Sequence, residues 1–184
     1  MMCNKFLMLF VVLFLMACGE ETLPKPNAVL RLEYPKAQWD TLSVGHFQFQ
    51  KNRLAKVKDR TSESLTLDYP AMKGTIYLNY KKVDANLEKL LVDAQKFSYE
   101  HAVKADAIDT KVFQNEEERV YGQFFSVSGD AASQAQFYAT DSTDHFVTGS
   151  LYFYARPNYD SIYPAAVYLQ NDILTIMESL RWKE

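Results

Sequence analysis

The residue types that could support acid–base or metal chemistry are concentrated in one short segment. Asp141 and Asp144 enclose two hydroxyl residues, and His145 follows directly. Two carboxylates beside an imidazole could bind a metal ion or supply the acid and base of a hydrolase. The simpler interpretation is a polar turn, in which the aspartate and hydroxyl side chains hydrogen-bond to their own backbone. We favour the turn, because the two aspartates lack the ligand spacing and the downstream glutamate of a calcium loop.

Other catalytic patterns are absent from the sequence. No G-x-S-x-G elbow occurs, and the six glycines are too dispersed for a loop that cradles a phosphate. His46, His101 and His145 lie far apart along the chain, and none belongs to an H-E-x-x-H pair. We interpret His101 as a residue at the margin of a core or near the C-terminus of a helix. The sequence therefore predicts no enzymatic activity, no metal, no cofactor and no small-molecule substrate.

Cys18 is the residue whose chemistry the local sequence specifies best. Lys5 gives a basic start, and residues 6–16 form an apolar run that is shorter than the about 20 residues needed to span a bilayer. The segment LMAC at residues 15–18 resembles the lipobox of bacterial lipoproteins, in which the cysteine is acylated and becomes the first residue. An ordinary secretory signal is the alternative. Polar residues directly after Cys18 favour the lipoprotein.

Processing before Cys18 defines three parts of the chain. Residues 1–17 would be the signal peptide, and residues 18–27 a lipidated extended tether that contains Pro24 and Pro26. Residues 28–184 would form a single domain, because the mature chain of 167 residues is too short for two comfortable ones.

The mature composition excludes several classes of site and partner. Cys3 leaves with the signal and Cys18 carries lipid, so no thiol remains for a disulfide, a nucleophile or a metal. The mature chain has 19 Lys and Arg against 23 Asp and Glu, a net charge of −4 with no long basic block. Nucleic acid is therefore not expected as a partner, since phosphate binding requires a basic face.

Alternating apolar residues predict a series of half-buried strands. The alternation occurs at residues 30–34, 47–49, 65–69 and 76–80. Further strands are predicted at residues 111–114, 119–127, 134–140 and 145–155, of which the last two are joined by a hairpin at the Asp141–Asp144 turn.

Two segments show the apolar spacing of amphipathic helices. The first covers residues 87–101 and follows Asp84, which could cap it. The second covers residues 162–180 and follows Asp160 and Ser161, either of which could cap it. Each apolar stripe must lie on an apolar surface, which the strands can provide. The sequence therefore predicts an α+β single-domain sandwich with a largely antiparallel sheet and two main helices.

Aromatic residues crowd the last predicted strand, the loop after it and the start of the second helix. The candidates for binding a partner are Tyr152, Tyr154, Arg156 and Tyr159. Tyrosine suits interfaces because it combines apolar area with a polar tip. Since alternate strand residues share a face, Leu151 and Phe153 should face the core and leave the strand tyrosines on the other face. A second helix could cover that face, so interface and core both stay open.

Several long strings resemble the gliding motility lipoprotein GldD family. They are PKP at 24–26, LRLEYP at 30–35, IYLNYK at 76–81, NLEKLLVDAQ at 86–95, AASQAQFY at 131–138, GSLYFY at 149–154 and PNYDS at 157–161. Residues 36–60 depart most from the family pattern. The closing strands and helix are also similar, at the level of the fold, to the sandwich of PsbP and Mog1 proteins.

The resemblance implies a membrane-anchored component of gliding motility and type IX secretion in Bacteroidota, whose partners are other proteins of that machinery. It implies no catalytic residues, and the site that it carries over is Cys18, the attachment point for palmitate and related acyl groups. Gly19 after the cysteine favours the outer membrane, facing the periplasm, by a sorting rule known in other bacteria.

Two alternative functions stay open. One is a cell-envelope hydrolase that uses His145, Asp141 and Asp144. The other is a periplasmic ligand-binding lipoprotein that holds a small apolar or peptide ligand between sheet and helix. A filled interface between sheet and helix would leave no room for such a ligand.

Overall fold

The computed structural model describes residues 32–100, 104–154 and 158–183. Cys18, His101 and Arg156 lie outside these ranges, as do the predicted signal peptide and tether. Within the described ranges, no helix has the length and apolar character that crossing a bilayer requires.

The described residues form ten strands and two α-helices. The strands are β1 (Trp39–Val44), β2 (Phe47–Asn52), β3 (Lys56–Lys58), β4 (Ser64–Tyr69), β5 (Gly74–Lys82), β6 (Ala105–Asn115), β7 (Val120–Gly129), β8 (Ala135–Thr140), β9 (His145–Phe153) and β10 (Arg181–Trp182). The helices are α1 (Leu87–Glu100) and α2 (Tyr159–Glu178), and one 3₁₀ turn spans Pro70–Met72.

The strands form two antiparallel sheets. The larger has the order β3-β4-β5-β9-β8-β7-β6, and the smaller has the order β1-β2-β10. At the centre of the larger sheet, β5 and β9 pair from Gly74 opposite Phe153 to Lys82 opposite His145. The predicted hairpin between β8 and β9 is confirmed by their antiparallel pairing. The expected α+β sandwich with a largely antiparallel sheet and two main helices is also confirmed.

Helix α2 packs on one face of the larger sheet and forms the main core with it. Leu169 and Ile173 of the helix are fully buried, as are Ile76 and Leu151 of the sheet. The small sheet closes this core through β2, which contributes its buried phenylalanines. Because burial of each large apolar side chain contributes about 1.5–3 kcal/mol, this layer dominates stability.

Helix α1 lies on the opposite face and covers it less completely. Leu90 is buried in a small cluster with Val83 and Phe146. Farther along the helix, Phe97 and Tyr99 are exposed. The molecule therefore has the layers α2, sheet and α1, with a full core on one side and a partial one on the other.

The predicted strand at residues 30–34 is wrong for the part that the structure describes. Residues 32–38 form no strand. Instead, the Tyr34 ring packs edge-on against Tyr168, with 5.5 Å between ring centroids. The Tyr168 hydroxyl donates a 3.0 Å hydrogen bond to the carbonyl of Pro35. Proline has no N–H for a strand ladder, so this segment is held by side chains of α2 instead.

The predicted helix caps also differ from those observed. Asn158 caps α2, because its Oδ1 accepts a 3.3 Å hydrogen bond from the Ser161 N–H. Asp160 lies instead in the first turn, where its carboxylate interacts favourably with the positive end of the helix dipole. Helix α1 begins three residues after Asp84, and its first-turn N–H at Leu90 donates to the carbonyl of Asn86.

Candidate functional site

The Asp141–Asp144 segment is a tight turn organised by one carboxylate. Oδ1 of Asp141 accepts backbone hydrogen bonds from Thr143, Asp144 and His145 at 2.8–3.0 Å. Oδ2 accepts a 2.8 Å bond from the Thr143 hydroxyl. Burial alone would raise the pKa of Asp141, but the N–H donors of His145, Thr143 and Asp144 outweigh it and hold that pKa at about 2. Both oxygens are engaged in holding the turn, which supports a structural role over an acid–base one.

The fold brings together two histidines that are distant along the chain. His46 stacks on Tyr80 with 4.4 Å between ring centroids, and the Tyr80 hydroxyl lies 2.9 Å from Nδ1 of His145. The His145 ring stacks in turn on Trp182. His46 and His145, which lie far apart along the chain, therefore have rings only 6.3 Å apart in the folded protein. The pair is not evident from the sequence, because His46 lies in the turn before β2 of the small sheet and His145 begins β9 of the large sheet.

The His46–His145 pair does not form a metal site with its neighbours. Among the described residues, no group of three or more His, Cys, Asp or Glu side chains is placed to hold a metal ion. Asp144, His145 and Trp182 line a surface depression of about 290 Å³. Stacked rings fix the position of the imidazoles, so the cluster ties β2 and β10 to the larger sheet.

The three partner-binding candidates that the structure describes separate into two groups. Tyr152 is half-buried on the α1 face, where its ring contacts Tyr77 edge-on at 5.8 Å. Tyr154 follows β9, and its hydroxyl lies 2.6 Å from Oγ1 of Thr75. The predicted division of the strand is confirmed, because Leu151 is buried in the main core, while Tyr154 is 65% exposed.

Tyr159 belongs to the second group, at the start of α2. Its ring packs edge-on against Tyr163 at 5.5 Å, and its backbone N–H donates a 2.8 Å bond to Oδ1 of Asp130. Arg156 lies outside the described residues. Tyr163, 42% exposed, was not among the sequence candidates, although it lies one helical turn after Tyr159.

The two groups nevertheless lie at the same end of the larger sheet. Strands β7 and β9 run in the same direction, because β8 pairs antiparallel with both. Tyr154 directly follows β9, and Asp130, the partner of Tyr159, directly follows β7. We call Tyr154, Tyr159 and Tyr163 the tyrosine end.

A groove of about 440 Å³ separates α1 from part of the sheet. Strands β5, β8 and β9 form its floor, and α1 forms one wall. The α1 layer is therefore not filled as the α2 layer is. The sequence left this feature open, because apolar spacing predicts a helix and its buried stripe but not how far the helix covers the sheet.

A buried carboxylate on α2 connects the layers on the other side. Oδ2 of Asp172 accepts a 2.8 Å hydrogen bond from Nδ2 of Asn52, which also donates to the Tyr168 hydroxyl at 3.0 Å. Burial raises the pKa of Asp172 to about 6, although Asn52 and the nearby Tyr69 hydroxyl partly oppose that shift. The Tyr69 hydroxyl itself makes no hydrogen bond of ordinary geometry with a described residue. The sequence analysis did not single out Asp172. Its position directly before Ile173, a residue of the apolar stripe, could have indicated that this carboxylate is buried.

Comparison with known proteins identifies the family. No curated protein matches the chain. Residues 19–182 match the family model described as gliding motility lipoprotein GldD. This range includes both sheets, both helices and the tyrosine end. The chain therefore belongs to the gliding motility lipoprotein GldD family.

Proposed function

We propose that this protein is a lipid-anchored accessory component of the bacterial gliding motility and type IX secretion machinery, and that it acts by protein–protein contacts rather than by catalysis. Membership of the GldD family implies the role in gliding motility. The extension to secretion rests on the resemblance to that family. Direct contacts are supported by the exposed tyrosine end, and a role without catalysis by the structural use of Asp141 in its turn.

The proposed anchor is Cys18, acylated after removal of residues 1–17. Two or more acyl chains hold a protein stably at a membrane, whereas one chain gives only reversible binding. The 14 residue-to-residue steps from Cys18 to Leu32 could span at most about 50 Å. The first described residues then pack on α2 through Tyr34 and Tyr168. The domain of residues 28–184 would therefore lie close to the periplasmic side of the outer membrane.

The tyrosine end is the proposed contact surface. Tyr154 and Tyr163 expose 65% and 42% of their surface, and Tyr159 stands beside Tyr163. Tyrosine side chains lose little conformational entropy when they are fixed, and they are enriched among the residues that dominate binding energy. Backbone bonds from Tyr154 to Lys73 and from Tyr159 to Asp130 hold this end in place before any partner binds.

Site-specific photocrosslinking in living cells tests this proposal. A photoreactive phenylalanine analogue would replace Tyr154 or Tyr163 in the full-length lipoprotein, expressed in a deletion strain. Tyr99 on α1 is the matched control, because it is a tyrosine with 55% exposure away from the tyrosine end. We expect discrete adducts with proteins of the gliding and secretion machinery at positions 154 and 163, and not at position 99. Equal adduct patterns at all three positions would contradict the proposed surface.

A further inference from the structure

The groove between α1 and the sheet has the size and lining of a small-molecule site. Its volume of about 440 Å³ falls within the range of about 300–1,000 Å³ that is usual for ligand pockets. The residues that line it are Tyr77, Asn79, Lys81, Leu90, Asp93, Ala94, Phe97, Ser98, Gln136, Phe137, Tyr138, Phe146, Thr148, Gly149, Ser150 and Tyr152. Most of the polar lining residues belong to the sheet. The strands therefore present polar side chains to the groove and apolar side chains to α2 on their other face.

Gln136 supplies an unused buried hydrogen-bond donor in this groove. The side chain is only 3% exposed, and its Oε1 accepts a 2.8 Å bond from the Ser98 hydroxyl. Its Nε2 has no hydrogen-bond partner among the described residues. An unpaired buried amide is costly, and such groups are rare in folded proteins. Gln136 lines the groove, so a small rotation of its side chain towards the opening would let this amide donate to a ligand oxygen.

A ligand in the groove would meet side chains rather than free backbone groups. Its floor belongs to β5, β9 and β8, whose backbone groups are already paired with one another. A peptide therefore cannot add to the sheet here as an extra strand. Asn79, Thr148 and Ser150 would lose hydration without compensation beneath a purely apolar ligand.

The lining carries little charge. Lys81 and Asp93 are the charged residues that line the groove, and the Asp93 carboxylate is already paired with the Lys89 ammonium at 2.9 Å. The rest of the lining consists of hydroxyl and amide groups on the sheet beside aromatic rings and the aliphatic side chains of Leu90 and Ala94 on α1. Tyr77 and Tyr152 meet edge-on at 5.8 Å and present ring surface next to the polar floor. A tyrosine face carries partial negative charge and packs well against C–H groups.

We propose that this groove binds a neutral saccharide. A sugar ring presents hydroxyl oxygens to Gln136 and Asn79 and a C–H face to Tyr77. This combination of polar edge and apolar face matches the lining better than a fatty acid or an extended peptide does. The inference does not rest on the proposed role in secretion or on the tyrosine end.

Saturation-transfer NMR on the full-length lipoprotein in lipid nanodiscs tests the inference. The probes are neutral di- to tetrasaccharides of glucose, mannose, galactose and N-acetylglucosamine, with laurate and tetra-alanine as non-sugar comparisons. We expect at least one saccharide to bind saturably, with neither comparison compound competing. Absence of saccharide binding by the folded protein, or displacement by laurate or tetra-alanine, would overturn the proposal.

Three variants localise the binding. Gln136→Leu should weaken saccharide binding by about tenfold or more while keeping or raising the thermal midpoint, because it removes a buried unpaired donor. The Ser98 hydroxyl retains its 3.1 Å bond to the Ala94 carbonyl in this variant. Tyr77→Ala and Asn79→Ala should also weaken binding. Their controls on the α2 side are Tyr163→Ala and Asn171→Ala, which should bind as the natural protein does. Equal loss in variants and controls would also overturn the site.

Discussion

Asn52 donates a 2.8 Å hydrogen bond from Nδ2 to the buried carboxylate of Asp172, and so links the small sheet to the helix that covers the large one. The same amide donates to the Tyr168 hydroxyl, which holds the Pro35 carbonyl. One short network thus connects β2, α2 and the segment that leads towards the proposed anchor.

Asp172→Asn should stabilise the protein at neutral pH. The folded-state pKa of about 6 lies above the unfolded value of about 3.9, so the folded state binds more protons between these values. The free energy of unfolding should therefore fall by up to about 3 kcal/mol as pH rises from 4 to 6 in the natural protein. The amide variant lacks this loss and can donate to the unpaired Tyr69 hydroxyl.

Urea unfolding followed by tryptophan fluorescence at pH 4 and pH 7 measures this difference. The two proteins should have similar stability at pH 4, and the variant should be the more stable at pH 7. Asp109→Asn, at an exposed position of β6, is the control and should change neither value appreciably. A variant that is less stable than the natural protein at pH 7 would show that the carboxylate is stabilising instead.

Asp141→Asn should destabilise the hairpin without abolishing function. The low folded-state pKa of Asp141 means that its charge contributes stability above about pH 4, and that this contribution is lost as pH falls through about 2. Loss of the charge should cost about 2 kcal/mol at pH 7, as for other charge-assisted hydrogen bonds. The variant should still restore colony spreading at wild-type protein levels. His145→Ala should also restore spreading. Loss of spreading in both single variants, each folded and as abundant as the natural protein, would favour the alternative function as a cell-envelope hydrolase.

Tyr168→Phe should loosen the segment that precedes β1. The variant keeps the ring that packs against Tyr34 but loses the hydrogen bonds to Pro35 and Asn52. We expect a loss of about 1 kcal/mol in unfolding free energy and faster proteolysis within residues 32–38. Tyr163→Phe is the matched control. Unchanged proteolysis in Tyr168→Phe would show that the ring contact alone holds the segment.

Strong periodicity made the central elements predictable. β4, β5, β7, β8 and β9 alternate clearly, and the stripe of α2 recurs every three or four residues. In contrast, β1, β3 and β10 were missed. β3 is exposed along its length, and β10 has two residues, Arg181 and Trp182, that pair with β2. Such strands are defined by their neighbours in space rather than by an apolar pattern. The likeness to the PsbP and Mog1 fold stays a prediction.

The site was less predictable than the fold. The sequence identified Tyr152 and Tyr154 as residues that face away from the main core, and this is confirmed. The sequence could not show that Tyr152 lines a groove while Tyr154 is largely exposed, because the groove depends on how far α1 extends over the sheet. Gln136 illustrates the same limit. Its parity places it on the α1 face, but only the structure shows that its amide is buried and unpaired.

The need for the lipid anchor can be measured by colony spreading of a deletion strain. The strain would express the protein with a non-lipoprotein secretory signal in place of residues 1–17 and with Cys18→Ser. Fractionation and proteolysis would establish that this form is soluble, folded and as abundant as the natural protein. We predict that the soluble form fails to restore spreading, while the lipidated form restores it. Full spreading with the soluble form would contradict a function that depends on attachment to the membrane.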